Sequence, residues 1–253
     1  MRISRLLFAG LLPVSVLGWG SAAAGQDAPA PKPEFVLIEM NPWLMVVGSD
    51  APEFAIYDDG LVIYRTGDGY RAVRLDQDER TALLHGINLA GLQDHYEATH
   101  VTDQRTNIFI DFRGQTPIAS QVYGSLAAEA VRAKVPEALP LAYDRMHNFD
   151  HPDAIEWVPE QIEVMIWPYD YAPEASIHWP SDWPGLDDAS TRKRGEDSYS
   201  LYLPSSQLGD LKAFLSTRNA KGAVEIGGKK WAVSTRYPFP SETRWIIVEA
   251  DGN

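Results

Sequence analysis

Apolar and polar residues follow one another along this chain in a pattern that predicts short strands joined by tight turns. The strand-forming runs at 54–57 and 61–64 flank the residues Asp58-Asp59-Gly60. An Asp-Gly pair between two such runs indicates a β-hairpin, because the turn needs residues that accept positive φ angles. A second turn at 66–69 leads into another strand-like run, so we expect a three-stranded meander.

The remaining elements are predicted from the same two periodicities. Asp76 and Glu79 form the spacing of a helix capping box before leucines that recur at helical intervals. Pro136 and Pro140 are expected to interrupt the helix that follows Ser125. Further helices are predicted at about 141–147 and after Ser205 or Ser206. Further strands are predicted at 35–38, 108–112, 118–123, 162–166, 199–203, 223–226, 229–237 and 245–248.

The order of these elements predicts an α+β protein made of two small modules of antiparallel hairpins with packed helices. We place the N-terminal module at residues 35–153 and the C-terminal module at 154–253. Segments 79–123 and 206–237 share the order helix, strand, tight turn, strand, although few residues are identical. An internal duplication is therefore one hypothesis for the origin of the two modules.

The N-terminus has the pattern of a secretory signal peptide over residues 1–25. Arg2 and Arg5 precede an apolar run that is too short to span a bilayer, and small residues follow up to Ala24, where we expect cleavage. An uncleaved N-terminal anchor is the alternative interpretation. Residues 26–34 form a Pro/Ala-rich linker. We expect a periplasmic or secreted protein with no membrane span after signal removal.

Composition narrows the class of protein further. The 253 residues carry a formal net charge of −13, and an acidic surface repels phosphate backbones, so nucleic acid is not expected as a partner. The absence of Cys excludes disulfides, thiolate metal sites and a cysteine nucleophile. Hydrophobic residues make up 45% of the chain, which is typical of a folded globular protein rather than a disordered one.

One short segment gathers potential metal ligands. His147, Asp150, His151 and Asp153 lie within seven residues, and this mixture of donors suits zinc or another divalent cation. However, Pro152 prevents a continuing helix, and aspartates at such positions are common in caps and turns. We therefore assign no metal and no other cofactor to this segment.

Two further motifs have a formal match to known chemistry. Ser190 and Lys193 have the Ser-x-x-Lys spacing of a nucleophile motif, but they lie in a run of charged residues without the companion Lys-Thr-Gly. His95 and His100 are five residues apart, which does not place them on one helical face. We interpret both segments as solvated polar connections and assign no catalytic residue.

The segment 167–196 is the closest that the sequence comes to a binding site. It is expected to be a long loop, and it contains three Trp-Pro pairs, at Trp167, Trp179 and Trp183. Aromatic rings on a loop stiffened by proline are suited to hold a sugar face or a partner chain. The alternative is that these rings close one end of the core, as Trp usually does.

The run Phe54-x-Ile56-Tyr57-x-Asp59-Gly60-x-Val62-Ile63-Tyr64, followed by a helix and by Thr102-Asp103-x-x-Thr106, resembles a group of uncharacterised bacterial secreted domains. The resemblance covers about residues 50–150. It implies an exported α+β module and brings no activity and no catalytic residue with it.

These patterns favour an exported, non-enzymatic binding or interaction protein over an enzyme. The partner would be an envelope or extracellular protein or a glycan, held at Trp167, Trp179 or Trp183. The alternative is a hydrolase of envelope polymers, assisted by a metal at His147 and His151. The alternative requires those two histidines to meet an acid in a concave site.

Overall fold

The strands predicted up to residue 237 form and assemble into two separate β-sheets in a computed structural model that describes residues 30–67, 69–243 and 245. The signal peptide predicted over residues 1–25 lies outside the described residues. Of the predicted linker, residues 30–34 are described, and the first strand already begins at Pro33.

The first sheet has eight strands in the spatial order β5-β7-β6-β1-β2-β3-β4-β8. The pair β5–β7 is parallel and the other neighbours are antiparallel. These strands are β1 (Pro33–Met40), β2 (Phe54–Tyr57), β3 (Leu61–Thr66), β4 (Gly69–Arg74), β5 (His95–Glu97), β6 (Thr106–Asp111), β7 (Ile118–Tyr123) and β8 (Ile155–Trp157).

The Asp-Gly hairpin between β2 and β3 is confirmed. Gly60 adopts a φ of +82°, and a Cβ atom added there would lie 2.4 Å from the carbonyl oxygen of Leu75. Asp59 accepts a hydrogen bond from the backbone N–H of Leu61, which fixes the turn locally. Glycine is therefore required at this position for two reasons, the backbone conformation and the close approach of a neighbouring strand.

Three helices cover one face of the first sheet, namely α1 (Gln77–Leu84), α2 (Glu129–Arg132) and α3 (Ala138–His147). The capping box of α1 is confirmed in both directions between Asp76 and Glu79. The predicted interruption at Pro140 is wrong, since this residue lies in the first turn of α3, where an N–H has no intrahelical acceptor. Ser125 caps neither helix, because α2 begins after Ala128.

The second sheet has six strands in the order β10-β13-β14-β9-β12-β11, with β10 and β13 parallel. Its strands are β9 (Gln161–Pro168), β10 (Glu174–His178), β11 (Arg192–Lys193), β12 (Tyr199–Pro204), β13 (Gly222–Ile226) and β14 (Lys229–Arg236). The helix α4 (Leu208–Ser216) follows a 3-10 turn at Ser205–Gln207 and packs on one face. Neither serine makes a side-chain cap, and the expected loop at 167–196 contains β10 and β11.

Each sheet receives a segment from the other half of the chain. Val46, in the connection after β1, packs against Met165 and Ala232 of the second sheet. In return, Phe239 and Trp245 beyond β14 pack against the face of the first sheet that the helices leave open. Trp245 is helical rather than the start of the predicted strand at 245–248, and residues 246–248 lie outside the described residues.

The predicted α+β class agrees with these two mixed sheets and their few helices, but the sheets are larger than small hairpin modules. In both sheets a central strand, β1 or β9, has a hairpin beside it and a parallel strand beyond. The strand next to β1 is β6, the first strand of the hairpin β6–β7. The strand next to β9 is β14, the second strand of the hairpin β13–β14. A direct duplication does not by itself produce this reversed order. None of the described helices has the length and apolar character to cross a membrane.

Candidate functional site

The three tryptophans predicted to bind a ligand are in two different places. Trp179 is only 9% exposed, and its ring meets those of Trp183 and Phe214 edge-on beneath α4. Its indole N–H donates to the carbonyl oxygen of Pro184 at 3.0 Å, which satisfies the one polar group of the ring. Trp167 is 43% exposed and lies on the other face of the second sheet, where its strand partner is an alanine of β14.

The histidines singled out as possible metal ligands do not meet at one point. His147 stacks on Tyr143 within α3, with ring centroids 4.9 Å apart. The Nε2 atom of His151 instead lies 3.3 Å from a carboxylate oxygen of Glu79, and its Nδ1 accepts a hydrogen bond from the backbone N–H of Asp153. Across residues 30–67, 69–243 and 245, no group of three His, Asp or Glu side chains is arranged to hold a metal ion.

The Ser-x-x-Lys motif has a structural explanation. The hydroxyl of Ser190 donates to a carboxylate oxygen of Asp188 at 2.6 Å, in a turn that precedes β11. This bond and a backbone bond to the same carboxylate lower the pKa of Asp188. Ser190 is therefore a turn residue whose proton is directed at an aspartate, and Lys193 belongs to the edge strand that follows.

A row of polar side chains crosses the second sheet on the face opposite α4. Within β9, Ile162 and Val164 point into the core below α4, so that Glu163 between them points to the other face. Glu163 pairs directly with Tyr202 on β12 and with Arg236 on β14. Side chains opposite one another in a sheet lie close together, and the register therefore brings this glutamate and this arginine into contact.

Glu163 is the centre of a buried ion network. Only 1% of its side chain is exposed, and one carboxylate oxygen accepts a hydrogen bond from Arg236 at 2.8 Å. The other oxygen accepts from the hydroxyl of Ser200 at 2.5 Å and is also bonded by Arg194. Arg236 reaches in the opposite direction to Glu242, which lies in the segment after β14. The network thus joins three strands of the sheet to the C-terminal segment.

Burial and charge act against each other at this network. Burial disfavours the ionised form of Glu163, but the charges of Arg236 and Arg194 and the bond from Ser200 outweigh it and lower the pKa of the carboxyl. For Arg236, burial is the larger effect and lowers the pKa of the guanidinium in spite of Glu163. The carboxyl therefore stays ionised at neutral pH and acts as a fixed negative charge between two arginines.

This network forms the floor of a cleft with a volume of about 780 Å³. One wall is the edge strand β11 with its continuation, and the guanidinium of Arg192 lies over the ring of Tyr202, 5.5 Å from its centroid. Another wall contains Trp157 and Phe239, whose ring centroids are 5.0 Å apart in an edge-on arrangement. The cleft therefore combines a cationic wall, an aromatic wall and an ionic floor.

The sequence-based predictions do not include this site, although a signal for it is present. The strand at 162–166 is predicted from its apolar positions alone, which gives no role to Glu163. A glutamate between apolar neighbours in one strand and an arginine at the end of another indicate a cross-strand pair only when the strands are known to be adjacent. Glu163 and Arg236 are 73 positions apart, so their pairing is not visible in the linear pattern.

No family model, curated protein or solved structure matches this chain. The features of this chain that bear on function are therefore the shape of the cleft, the pairing of its charges and the side chains that line it.

Proposed function

We propose that the protein is an exported, non-enzymatic binding protein and that its ligand occupies the cleft above Glu163 and Arg236. The observation that carries the proposal is the position of a buried ion network at the base of a large open groove. Buried ion pairs are expensive to desolvate and contribute little net stability, so stability alone does not account for this network. A rigid polar floor between a cationic and an aromatic wall is suited to orient a ligand.

The state of Glu163 supports binding more than hydrolysis. A general acid needs a pKa close to the working pH, and the pKa of this carboxyl is shifted in the opposite direction. Its two oxygens already accept bonds from two arginines and a serine. The alternative of a metal-assisted hydrolase requires His147 and His151 to converge, and each of them contacts a different partner.

The proposed location outside the cytoplasm rests on the signal-like N-terminus and on the resemblance of residues 50–150 to secreted bacterial domains. A tagged full-length protein should be recovered from the periplasm or medium with an N-terminus near Gly25 or Gln26. Recovery of the intact Met1 terminus from the cytosol would overturn the export proposal and leave the binding proposal to be tested separately.

The binding proposal is tested by filling the cleft. Gln161 is exposed and lines the cleft on the same side of β9 as Glu163, so a Gln161→Trp side chain would occupy space that a ligand needs. Gln115, exposed in the turn between β6 and β7, offers the same substitution away from the cleft. Each mature variant is incubated with envelope glycan and peptide fractions, and bound ligands are identified by native mass spectrometry.

We expect the native protein and Gln115→Trp to retain the same ligand and Gln161→Trp to lose it. Unfolding curves of both variants establish that the fold is intact before the comparison is made. If Gln161→Trp retains the ligand as well as Gln115→Trp does, the ligand does not occupy the cleft and the proposal is wrong.

A further inference from the structure

We infer that the ligand of the cleft carries an anionic oxoacid group, a carboxylate or a phosphate, and that Arg192 binds it. This inference rests on the proposed binding function and specifies the chemistry of the ligand. It follows from the balance of charge in the cleft, from the position of Arg192 and from the charge of Arg236 at the base of the cleft.

The cleft is locally positive in a protein that is strongly negative. Four basic residues line it, against three acidic ones, although the whole chain has a net charge of −13. The basic residues are Arg192, Lys193, Arg194 and Arg236, and the acidic ones are Glu160, Glu163 and Glu242. A concave site of one sign attracts ligands of the opposite sign, and the surrounding acidic surface makes the contrast larger.

The ion pairs within the cleft do not include Arg192. Glu163 bonds Arg194 and Arg236, and Glu242 bonds Arg236, so both of these carboxylates are occupied. Arg192 has no carboxylate partner among the described residues, and its guanidinium lies over the aromatic ring of β12. A guanidinium held on an aromatic face keeps N–H groups at its edge, where they are available to bind a carboxylate or phosphate in a bidentate manner.

The strand geometry places Arg192 on the correct face. Arg192 pairs with Ser200, whose hydroxyl bonds Glu163, and two residues further on Arg194 bonds the same hydroxyl and the same carboxylate. Residues paired across adjacent strands share a face, so Arg192 is directed to the face of Ser200, and the bonds of Arg194, which follows β11, place its guanidinium on the same face. The two guanidinium groups therefore border the same cleft, one paired with the protein and the other available.

Arg236 adds to the positive charge at the base of the cleft. Only 5% of its side chain is exposed, and its two terminal nitrogens bond Glu163 and Glu242. Its Nε atom is buried and has no acceptor among the described residues. An unmet donor on a buried charged group is unusual, since burial without a partner costs free energy. Because this Nε atom is shielded from solvent, Arg236 contributes positive charge at the base of the cleft rather than a direct contact with a ligand.

The test uses probes that differ mainly in charge. Oligogalacturonate is compared with its fully methyl-esterified form, and inorganic phosphate is compared with chloride at the same ionic strength, by calorimetric titration of the mature protein. Preference for oligogalacturonate identifies a carboxylate as the source of the anion, and preference for phosphate identifies a phosphate. The variant is Arg192→Gln, and Lys229→Gln is the matched control, because Lys229 is exposed on β14 and does not line the cleft.

We expect at least one of the two oxoanion probes to bind better than its counterpart and to lose about tenfold or more in affinity in Arg192→Gln, as the removal of a charge-assisted hydrogen bond does. Lys229→Gln should bind as the native protein does. Equal binding of each probe and its counterpart, no binding of either oxoanion, or an equal loss in both variants would overturn the inference.

These outcomes are distinguishable from a failure of the proposed function. If the envelope ligand is uncharged, lost in Gln161→Trp and retained in Arg192→Gln, the cleft is a binding site and the anionic inference is wrong. If Gln161→Trp retains every ligand, the proposed function itself has failed.

Discussion

The two sheets of this protein differ in what their faces carry. The first sheet is mainly apolar on both faces, because helices cover one apolar cluster, and Phe239 and Trp245 pack on the other. The second sheet is apolar mainly on the face below α4, and its opposite face carries the row Tyr202, Glu163 and Arg236. A sheet that is covered on both sides supports the fold, whereas a sheet with a polar face can also present groups to a ligand.

This difference comes from the two central strands. β1 contains the run Phe35-Val36-Leu37-Ile38, in which every side chain is buried, as expected for a strand covered on both sides. β9 alternates at its start instead, with Glu163 placed between Ile162 and Val164. The first sheet is therefore a scaffold, and the second sheet has one face on which binding groups can be arranged.

The largest effect is expected when a tryptophan on each face of the second sheet is replaced by alanine and the two losses of stability are compared. Trp179→Ala should cost about 3–5 kcal/mol of unfolding free energy, because a buried ring is removed from the cluster with Trp183 and Phe214. Trp167→Ala, on the opposite face and 43% exposed, should cost less, about 1 kcal/mol. Urea unfolding of both variants measures the difference, and equal costs would contradict the assignment of the two faces.

The same experiment tests the predicted role of the tryptophans in binding. A variant that keeps its stability but loses a ligand would support recognition at that ring, and Trp167 is the one whose exposure allows it. Strong destabilisation by the replacement of Trp167, Trp179 and Trp183 alike would remove the ligand-binding interpretation of this segment.

The next effect concerns the ion network. Arg236→Met should cost about 3 kcal/mol, because it leaves Glu163 buried with one arginine fewer. Arg74→Met is the matched control in the first sheet: its pair with Asp59 is largely solvent-exposed, and its loss should cost about 1 kcal/mol or less. Chemical unfolding measures both values. A cost for Arg236→Met as small as that of the control would show that the network is not held as tightly as its burial indicates.

Local features of the fold could be predicted from the sequence, and non-local ones could not. The turn at Gly60 and the cap at Asp76 depend on residues within a few positions, and both are confirmed. The candidate site depends instead on the register of β9 with β12 and β14, which brings Glu163 next to Arg236 across 73 positions. The short strand β11 shows no alternation at all, since two residues are too few to display a period.

A smaller effect is expected for two glutamates, whose contributions to stability should change with pH in opposite directions. Glu163 has a lowered pKa, so its contribution to stability is present above the ordinary pKa and is lost as the pH falls through the lowered value. Glu53 has a pKa raised by burial, against the attraction of Arg65. A carboxyl with a raised pKa binds its proton more tightly in the folded state, so its contribution is present at low pH and is lost as the pH rises through the raised value.

The measurement is the difference in unfolding free energy between the native protein and each glutamine variant, followed between about pH 3 and pH 7. As the pH falls, the unfolding free energy of the native protein should decrease relative to that of Glu163→Gln. Over the same range it should increase relative to that of Glu53→Gln. Slopes of the same sign would contradict the opposite shifts of the two groups.

The smallest effect is expected at the histidines that the alternative function requires. His151 contacts Glu79 and the backbone of Asp153, and such contacts near the surface are worth little, so His151→Ala should change the unfolding free energy by about 1 kcal/mol or less. His147→Ala is the second test variant, because the alternative function requires both rings at one metal, whereas this ring stacks on Tyr143. Metal analysis of the purified protein should find no stoichiometric zinc. A tightly bound metal that is lost in both histidine variants would show that the two rings do converge, and it would move the balance from a binding protein to a metal-assisted hydrolase.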